Sequence, residues 1–341
     1  MAEAELGDDV FGDDPTVIRL EERAAELLGK EAALFVSSGT QGNLVSQMAH
    51  LGKGMELIAE AESHTVQWEA GAYAVVVGAT ARTVRAGEDG TMDPAAIAAA
   101  FRDASDPHNP ITGLVQLENT HMDSMGRPLT AEYTAAVAAV AHRHNVPLHI
   151  DGARLFNAAV ALGVPAASLV RDADSATFCL SKGLACPIGS IVVGSAAFIE
   201  RARRARKLLG GGMRQVGVIA APGLLALRNG PAGMIERLAE DHANARRLAE
   251  ALAEMPGIWG REAGVPLDPG RVHTNIVIFS VAPGDRSRFM DALGRDGVLM
   301  VEYPYDQIRA VTHYGIEADD IDRAIDATRR ALGVRAAVPV A

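Results

Sequence analysis

After Asp14-Pro15, apolar residues recur at helical spacing: Val17, Leu20, Ala24, Leu27 and Leu28 fall on one face. Asp14 can cap that helix, Pro15 fits its first turn and Gly29 can end it. Ala32 to Val36 is an uninterrupted apolar run that predicts a short buried strand. Ser37-Ser38-Gly39-Thr40 then turns the chain into a second helix through Leu44, Val45, Met48 and Leu51. Further strands are predicted at Leu57 to Ala59, Ala74 to Val77, Gly113 to Leu117, Leu148 to Ile150, Ala176 to Leu180 and Ile191 to Val193. Helical stretches such as Ala95 to Phe101 and Ala131 to His144 lie between several of them. The alternation predicts an α/β fold, a mostly parallel sheet sandwiched by helices.

Near Asn229-Gly230-Pro231 the pattern changes. A helical stripe of Ile235, Leu238, His242, Ala245, Leu248 and Leu252 follows, then an extended segment from Thr274 to Val281 and a last helix from about Asp319 to Leu332. This predicts a large domain over residues 1–230 and a smaller α+β domain over residues 231–341.

In parallel sheets, ligands bind outside the carboxyl ends of the strands. Two predicted strands deliver a charged group there. Pro147-Leu148-His149-Ile150 ends in Asp151-Gly152-Ala153-Arg154, and Ala176 to Leu180 runs into Ser181-Lys182-Gly183. A lysine amine that can condense with an aldehyde, beside a carboxylate that can hold a ring nitrogen, suits pyridoxal phosphate. A blander reading also stands: Asp151 paired with Arg154, and Lys182 snorkelling from a strand end. Gly183 and Pro187-Ile188-Gly189-Ser190 suggest close backbone approach to a ligand. Ser38-Gly39-Thr40, between a strand and a helix N-terminus, offers backbone N–H groups to an anion, though a simple helix cap has the same sequence.

His64, followed by Trp68, Glu69, Ala70 and Gly71, and His121 are further candidates, although an isolated histidine is more often a hydrogen-bonded structural one; His121 directly follows a predicted strand and should reach the same edge. Arg203, Arg204, Arg206 and Lys207 form a basic cluster ahead of Gly210-Gly211-Gly212-Met213-Arg214. A solvated helix face explains Arg203 and Arg204 better than it explains Lys207 and Arg214, which flank the glycines.

Composition narrows the partners. A net charge of -11 over 341 residues argues against nucleic acid and anionic membranes, so an anionic cofactor must be held by local groups. Apolar residues make up 48% of the chain, enough for a substantial core, yet no run approaches a membrane span. Cys179 and Cys186 fit neither a disulfide framework nor a zinc pattern and predict reduced thiols in a cytoplasmic protein. The opening residues lack the features of a signal peptide.

Together the motifs resemble a family. Gly7-Asp8-Asp9-Val10-Phe11-Gly12-Asp13-Asp14-Pro15-Thr16-Val17, Ser38-Gly39-Thr40, Glu118-Asn119-Thr120-His121, Asp151-Gly152-Ala153-Arg154, Leu180-Ser181-Lys182-Gly183-Leu184 and Gly210 to Gln215 are similar, in this order, to the low-specificity L-threonine aldolases. The resemblance implies the fold-type I architecture of pyridoxal-phosphate enzymes and a homotetramer with active sites at a dimer interface. It implies that Lys182 carries the cofactor, Asp151 pairs with its ring nitrogen, His64 stacks on the ring, and Gly39 and Thr40 hold the phosphate, with Lys207, from the same or a neighbouring subunit, and Arg214 serving the phosphate or the loop around it. Arg154 and Arg309 would bind the carboxylate of an amino-acid substrate, and His121 would approach its β-hydroxyl. The implied reaction is retro-aldol cleavage to glycine and an aldehyde. β-Elimination, transamination or an inactive cofactor-binding protein are the alternatives on the same fold. Three departures stand out. The family's usual Arg-Ser-Asp-Thr strand would fall before Met1, Met122 to Arg127 replaces an Asn-rich loop, and Cys186 replaces a small or hydroxyl residue.

Overall fold

The computed structural model describes residues 1–333. The first helix, α1 (Pro15–Leu28), forms as its pattern requires. The Asp14 carboxylate accepts the N–H groups of Thr16 and Val17 at 3.1 Å, and Gly29 closes the helix at φ 63°. The chain continues through β1 (Ala32–Val36), α2 (Gly39–His50), β2 (Glu56–Glu60), α3 (His64–Gln67), β3 (Thr80–Val84), α4 (Pro94–Ala100), β4 (Thr112–Glu118), α5 (Ala131–Arg143) and β5 (Leu148–Asp151). Then come α6 (Leu155–Leu162), α7 (Ala166–Val170), β6 (Ser175–Cys179), β7 (Ser190–Gly194), α8 (Ala196–Leu208) and α9 (Gly217–Ala226).

The seven strands form one sheet in the order β1-β7-β6-β5-β4-β2-β3, in which β7 runs against the other six. Leu34 and Val36 of β1 and Val192 of β7 bury themselves against Val45 of α2 and Phe198, Ile199 and Ala202 of α8. Strand alternation turns Ala33 and Phe35 to the opposite face.

One predicted strand is absent. Ala74 to Val77 lies in a π-helical turn, Tyr73–Val77, and the strand is the following Thr80–Val84. The apolar run had suggested burial, yet Val75 and Val76 are exposed and only Val77 is buried. Bonds from Ala74 and Val75 N–H to the Gly71 carbonyl coil the segment, and Gly78 at φ 75° ends it.

The chain divides into two compact units at Arg237/Leu238, somewhat beyond the glycine-proline break at residue 230. A short 3-10 turn at Gly230–Ala232, and a bond from Met234 N–H to the Ala226 carbonyl, keep the intervening residues with the larger unit. In the smaller unit α10 (Leu238–Ala253), α11 (Arg286–Arg295) and α12 (Ala318–Ala331) pack through Leu248, Leu252, Phe289, Leu293 and Ile321 on an antiparallel sheet. That sheet has the order β8-β10-β9, from β8 (Ile276–Ser280), β9 (Val301–Tyr303) and β10 (Gln307–Val311). Among the described residues no helix is long and apolar enough to cross a membrane.

Candidate active site

β1, β2, β4, β5 and β6 all run the same way, so the residues that follow them gather on one sheet edge. Asp151 ends β5 between Glu118 of β4 and Thr177 of β6, and is buried. Among the described residues each carboxylate oxygen has one donor: Asn43 Nδ2 at 2.7 Å on Oδ2 and the Ala153 N–H at 3.0 Å on Oδ1. A carboxylate has room for more than two donors, so Asp151 retains acceptor capacity.

Asn43 reaches Asp151 because α2 turns a polar stripe to the sheet. Gly42 lies against Thr177, Asn43 meets Asp151, Gln47 Nε2 donates to Gln116 Oε1 at 3.1 Å, and His50 Nε2 is 2.8 Å from Ser175 Oγ. These residues lie outside the apolar positions, Leu44, Val45, Met48 and Leu51, that predict the buried face of the helix. Their spacing of three and four residues was the available signal.

Lys182, half-buried, sits in the loop joining β6 to β7. That loop is pinned at its neck: Leu180 and Ser181 both donate to the Gly189 carbonyl, at 3.0 and 3.2 Å, and Cys186 donates to Leu180. Gly189 has φ 106°, and a Cβ there would fall 2.5 Å from the Phe35 ring, so both conformation and space require glycine.

His64 opens α3. Its backbone N–H donates to Glu118 Oε2 at 2.6 Å, and its ring Nδ1 lies 2.9 Å from Glu69 Oε1. The side chain keeps 32% of its surface exposed while Glu69 is buried. The Glu69 hydrogen bond, outweighing burial, raises the His64 pKa. Asp151 adds to the rise and the Lys182 charge opposes it, so both side chains act electrostatically on the imidazole. Burial in turn raises the pKa of Glu69 and of Glu118.

His121 is at the same edge but turned inward. It is buried, with Nδ1 3.0 Å from Ser124 Oγ and Nε2 3.1 Å from Glu60 Oε2. Burial would lower its pKa, but the bond to Glu60 and the charge of Glu118 raise it overall. Both ring nitrogens thus have partners within the protein.

Gly39 and Thr40 begin α2 behind the Ser38 cap, whose Oγ accepts the Gln41 N–H at 3.1 Å. The glycine loop lies beside this turn: a Cβ on Gly211 would collide with the Gln41 amide, and one on Gly212 would fall 2.7 Å from Lys207 Cδ. Lys207, exposed in the last turn of α8, thus lies along the loop. Arg206 is not solvated. It is buried, pairs with Asp9 at 2.6 Å and donates to the Phe35 carbonyl at 2.6 Å. Arg203 binds Glu21, and Arg214 binds Asp8 while lying over the Phe11 ring. Arg154, half-buried, precedes α6. Arg309 belongs to the smaller unit, on β10, with its guanidinium carbon 5.4 Å from the Tyr303 ring centre. Cys179 and Cys186 are both free and buried.

The mostly parallel seven-stranded sheet between helices, with a small antiparallel sheet in the second unit, is the architecture of the fold-type I class, and a lysine, a buried carboxylate and an imidazole stand on its carboxyl edge. The match is equally direct at the level of sequence: the family described as beta-eliminating lyase fits residues 1–282, and the chain belongs to it. It is 45% identical to low-specificity L-threonine aldolase 1 of Arabidopsis thaliana, covering 97% of this chain and 91% of that one. It is 40% identical to the low specificity L-threonine aldolase of Escherichia coli, covering 94% and 90%. In fold it is similar to Leishmania major threonine aldolase (TM-score 0.76, 21% identity, 94% and 90% covered). It is also similar to Sphingomonas wittichii serine palmitoyltransferase (TM-score 0.71, 19% identity, 96% and 80% covered).

Proposed function

We propose that this protein is a pyridoxal-phosphate-dependent aldolase that cleaves L-threonine and L-allo-threonine to glycine and acetaldehyde. The observation that carries the reading is the shared sheet edge of Lys182, Asp151 and His64 in a chain so similar to threonine aldolases. The residues fit the cofactor. Asp151 is a buried acceptor with spare capacity, Lys182 stands on the loop after the neighbouring strand, and a helix N-terminus lies beside a glycine loop and a lysine.

When bound, pyridoxal phosphate supplies an aldehyde that joins an amine and a ring that takes up the electron pair of the broken Cα–Cβ bond. Lys182 would hold that aldehyde and yield it to the substrate amine. Asp151 would keep the ring nitrogen protonated, as a buried carboxylate facing a cation does. The N–H groups of Gly39 and Thr40, with Lys207, would hold the phosphate. Arg154 would take the substrate carboxylate through its guanidinium fork. His64 would lie on the cofactor ring, and its Nε2 would accept the β-hydroxyl proton directly or through a water. His121 would hold the loop beside the site through Ser124 and Glu60.

We extend the reading to a homotetramer with active sites at a dimer interface, as the resemblance to the low-specificity L-threonine aldolases implies. We place the protein in the cytoplasm, in keeping with its two free thiols.

The test is a product assay on both threonine diastereomers. Glycine and acetaldehyde in equal amounts are expected, whereas a keto acid with ammonia and no glycine overturns the reading. Lys182→Ala should abolish the visible absorbance of the bound cofactor.

A further inference from the structure

Glu69 stands at the centre of a buried polar cluster. Its Oε1 is 2.9 Å from His64 Nδ1 and accepts Asn43 Nδ2 at 2.9 Å. The same Asn43 nitrogen donates to Asp151 at 2.7 Å, and Asn43 Oδ1 accepts the Thr177 hydroxyl at 3.2 Å. Glu69, Asn43 and Asp151 are 4%, 1% and 3% exposed, so the contacts are sheltered from solvent. Chemistry fixes the orientation of the amide: only its NH2 group can serve two carboxylates, and it has one hydrogen for each.

The imidazole is fixed by the same logic. A ring nitrogen facing a carboxylate oxygen carries the proton, so Nδ1 is the protonated position and Nε2 the open one. Neutral histidine in water favours the opposite form, so the protein must impose this one. The charged groups facing the pair are Asp151 from β5, Glu118 from β4 and Lys182 after β6. The Asp151 charge favours retaining a proton on the pair, and the Lys182 charge opposes it at His64. The upward shifts of both His64 and Glu69 agree.

We propose that Glu69 is a positioning residue: it locks His64 in the Nδ1-protonated form, directs Nε2 outward as the proton-accepting atom, and joins this imidazole to Asp151 through the Asn43 amide. The proposal rests on the reading of His64 and Asp151 as site residues, but its test needs no turnover.

The full-length protein as purified is labelled with 15N-histidine, and His64 is assigned by its absence from His64→Phe. Above its titration, long-range 1H–15N spectra should show a protonated Nδ1 and an unprotonated Nε2; the reverse pattern overturns the proposal. In Glu69→Gln, which keeps shape and removes the charge, the His64 midpoint should fall by about one pH unit or more. An unmoved midpoint would assign Glu69 a packing role and also overturns the proposal. If Glu69→Gln does not fold, the wild-type spectrum still decides. A protein with the predicted tautomer that releases no glycine would refute the aldolase reading alone.

Discussion

Asp9 and Arg206 form an ion pair at 2.6 Å in which each side chain exposes only 3% of its surface. Arg206 also donates to the Phe35 carbonyl and its own carbonyl accepts the Gly211 N–H, while the Asp9 N–H donates to Arg214. The pair therefore ties the N-terminal segment, the end of β1 and the glycine loop together. Removing one partner strands a buried charge. Asp9→Ala should cost about 3–5 kcal/mol, whereas Asp9→Ala combined with Arg206→Met should cost less than Asp9→Ala alone. Urea unfolding of the two variants checks the order.

A Cβ on Gly39 would fall 2.8 Å from Cys179 Sγ, a distance close packing does not allow. Gly39→Ala should displace the first turn of α2 and weaken pyridoxal phosphate binding roughly tenfold, about 1.4 kcal/mol. Adding Cys179→Ala removes the colliding sulfur and should recover most of the loss. Cofactor titration by absorbance compares the two.

His50 Nε2 and His149 Nδ1 each lie 2.8 Å from the one Ser175 hydroxyl. Burial pushes His149 down to about 3 and His50 to about 4, from an ordinary 6.5. The unfolded chain therefore takes up protons that the folded chain refuses. The stability tied to the neutral rings is complete above the ordinary value and is lost as pH falls toward those depressed values. The slope should approach about 1.4 kcal/mol per pH unit for each histidine. Urea unfolding between about pH 7.5 and about pH 5 measures it, and His149→Gln should flatten it.

His64 and His121 should separate cleanly. His64→Phe keeps a ring and loses the proton acceptor, so turnover should fall by roughly 10²–10⁴ with the melting temperature little changed. His121→Phe leaves the Glu60 carboxylate without its buried partner, so destabilisation of about 2 kcal/mol or more should accompany any loss of activity. Threonine turnover and a thermal melt on both variants provide the comparison.

Local pattern sufficed wherever the determinant is local. Asp14, Pro15 and Gly29 bound α1 as their chemistry dictates, and Asp151 and Lys182 close apolar runs that are the strands expected. Tyr73–Val77 was misread because an apolar run alone does not distinguish a buried strand from a helical turn, and its exposure depends on distant packing. The Asn43 contact is hidden for a similar reason. Asn43 meets an aspartate 108 positions away, and nothing in its own neighbourhood announces that partner. His121 was located at the correct edge, but its direction is set by Glu60, 61 positions earlier.

The N-terminal aspartates have a consequence for how the chain is made. Asp9 waits for Arg206, Asp8 for Arg214 and Asp14 for Gly217, separations of 197, 206 and 203 residues. During synthesis this segment leaves the ribosome long before these partners exist. Closing such spans is entropically slow. A segment that must wait for such distant partners should dock late, so protection of its amides from hydrogen exchange should trail that of the parallel strands during refolding.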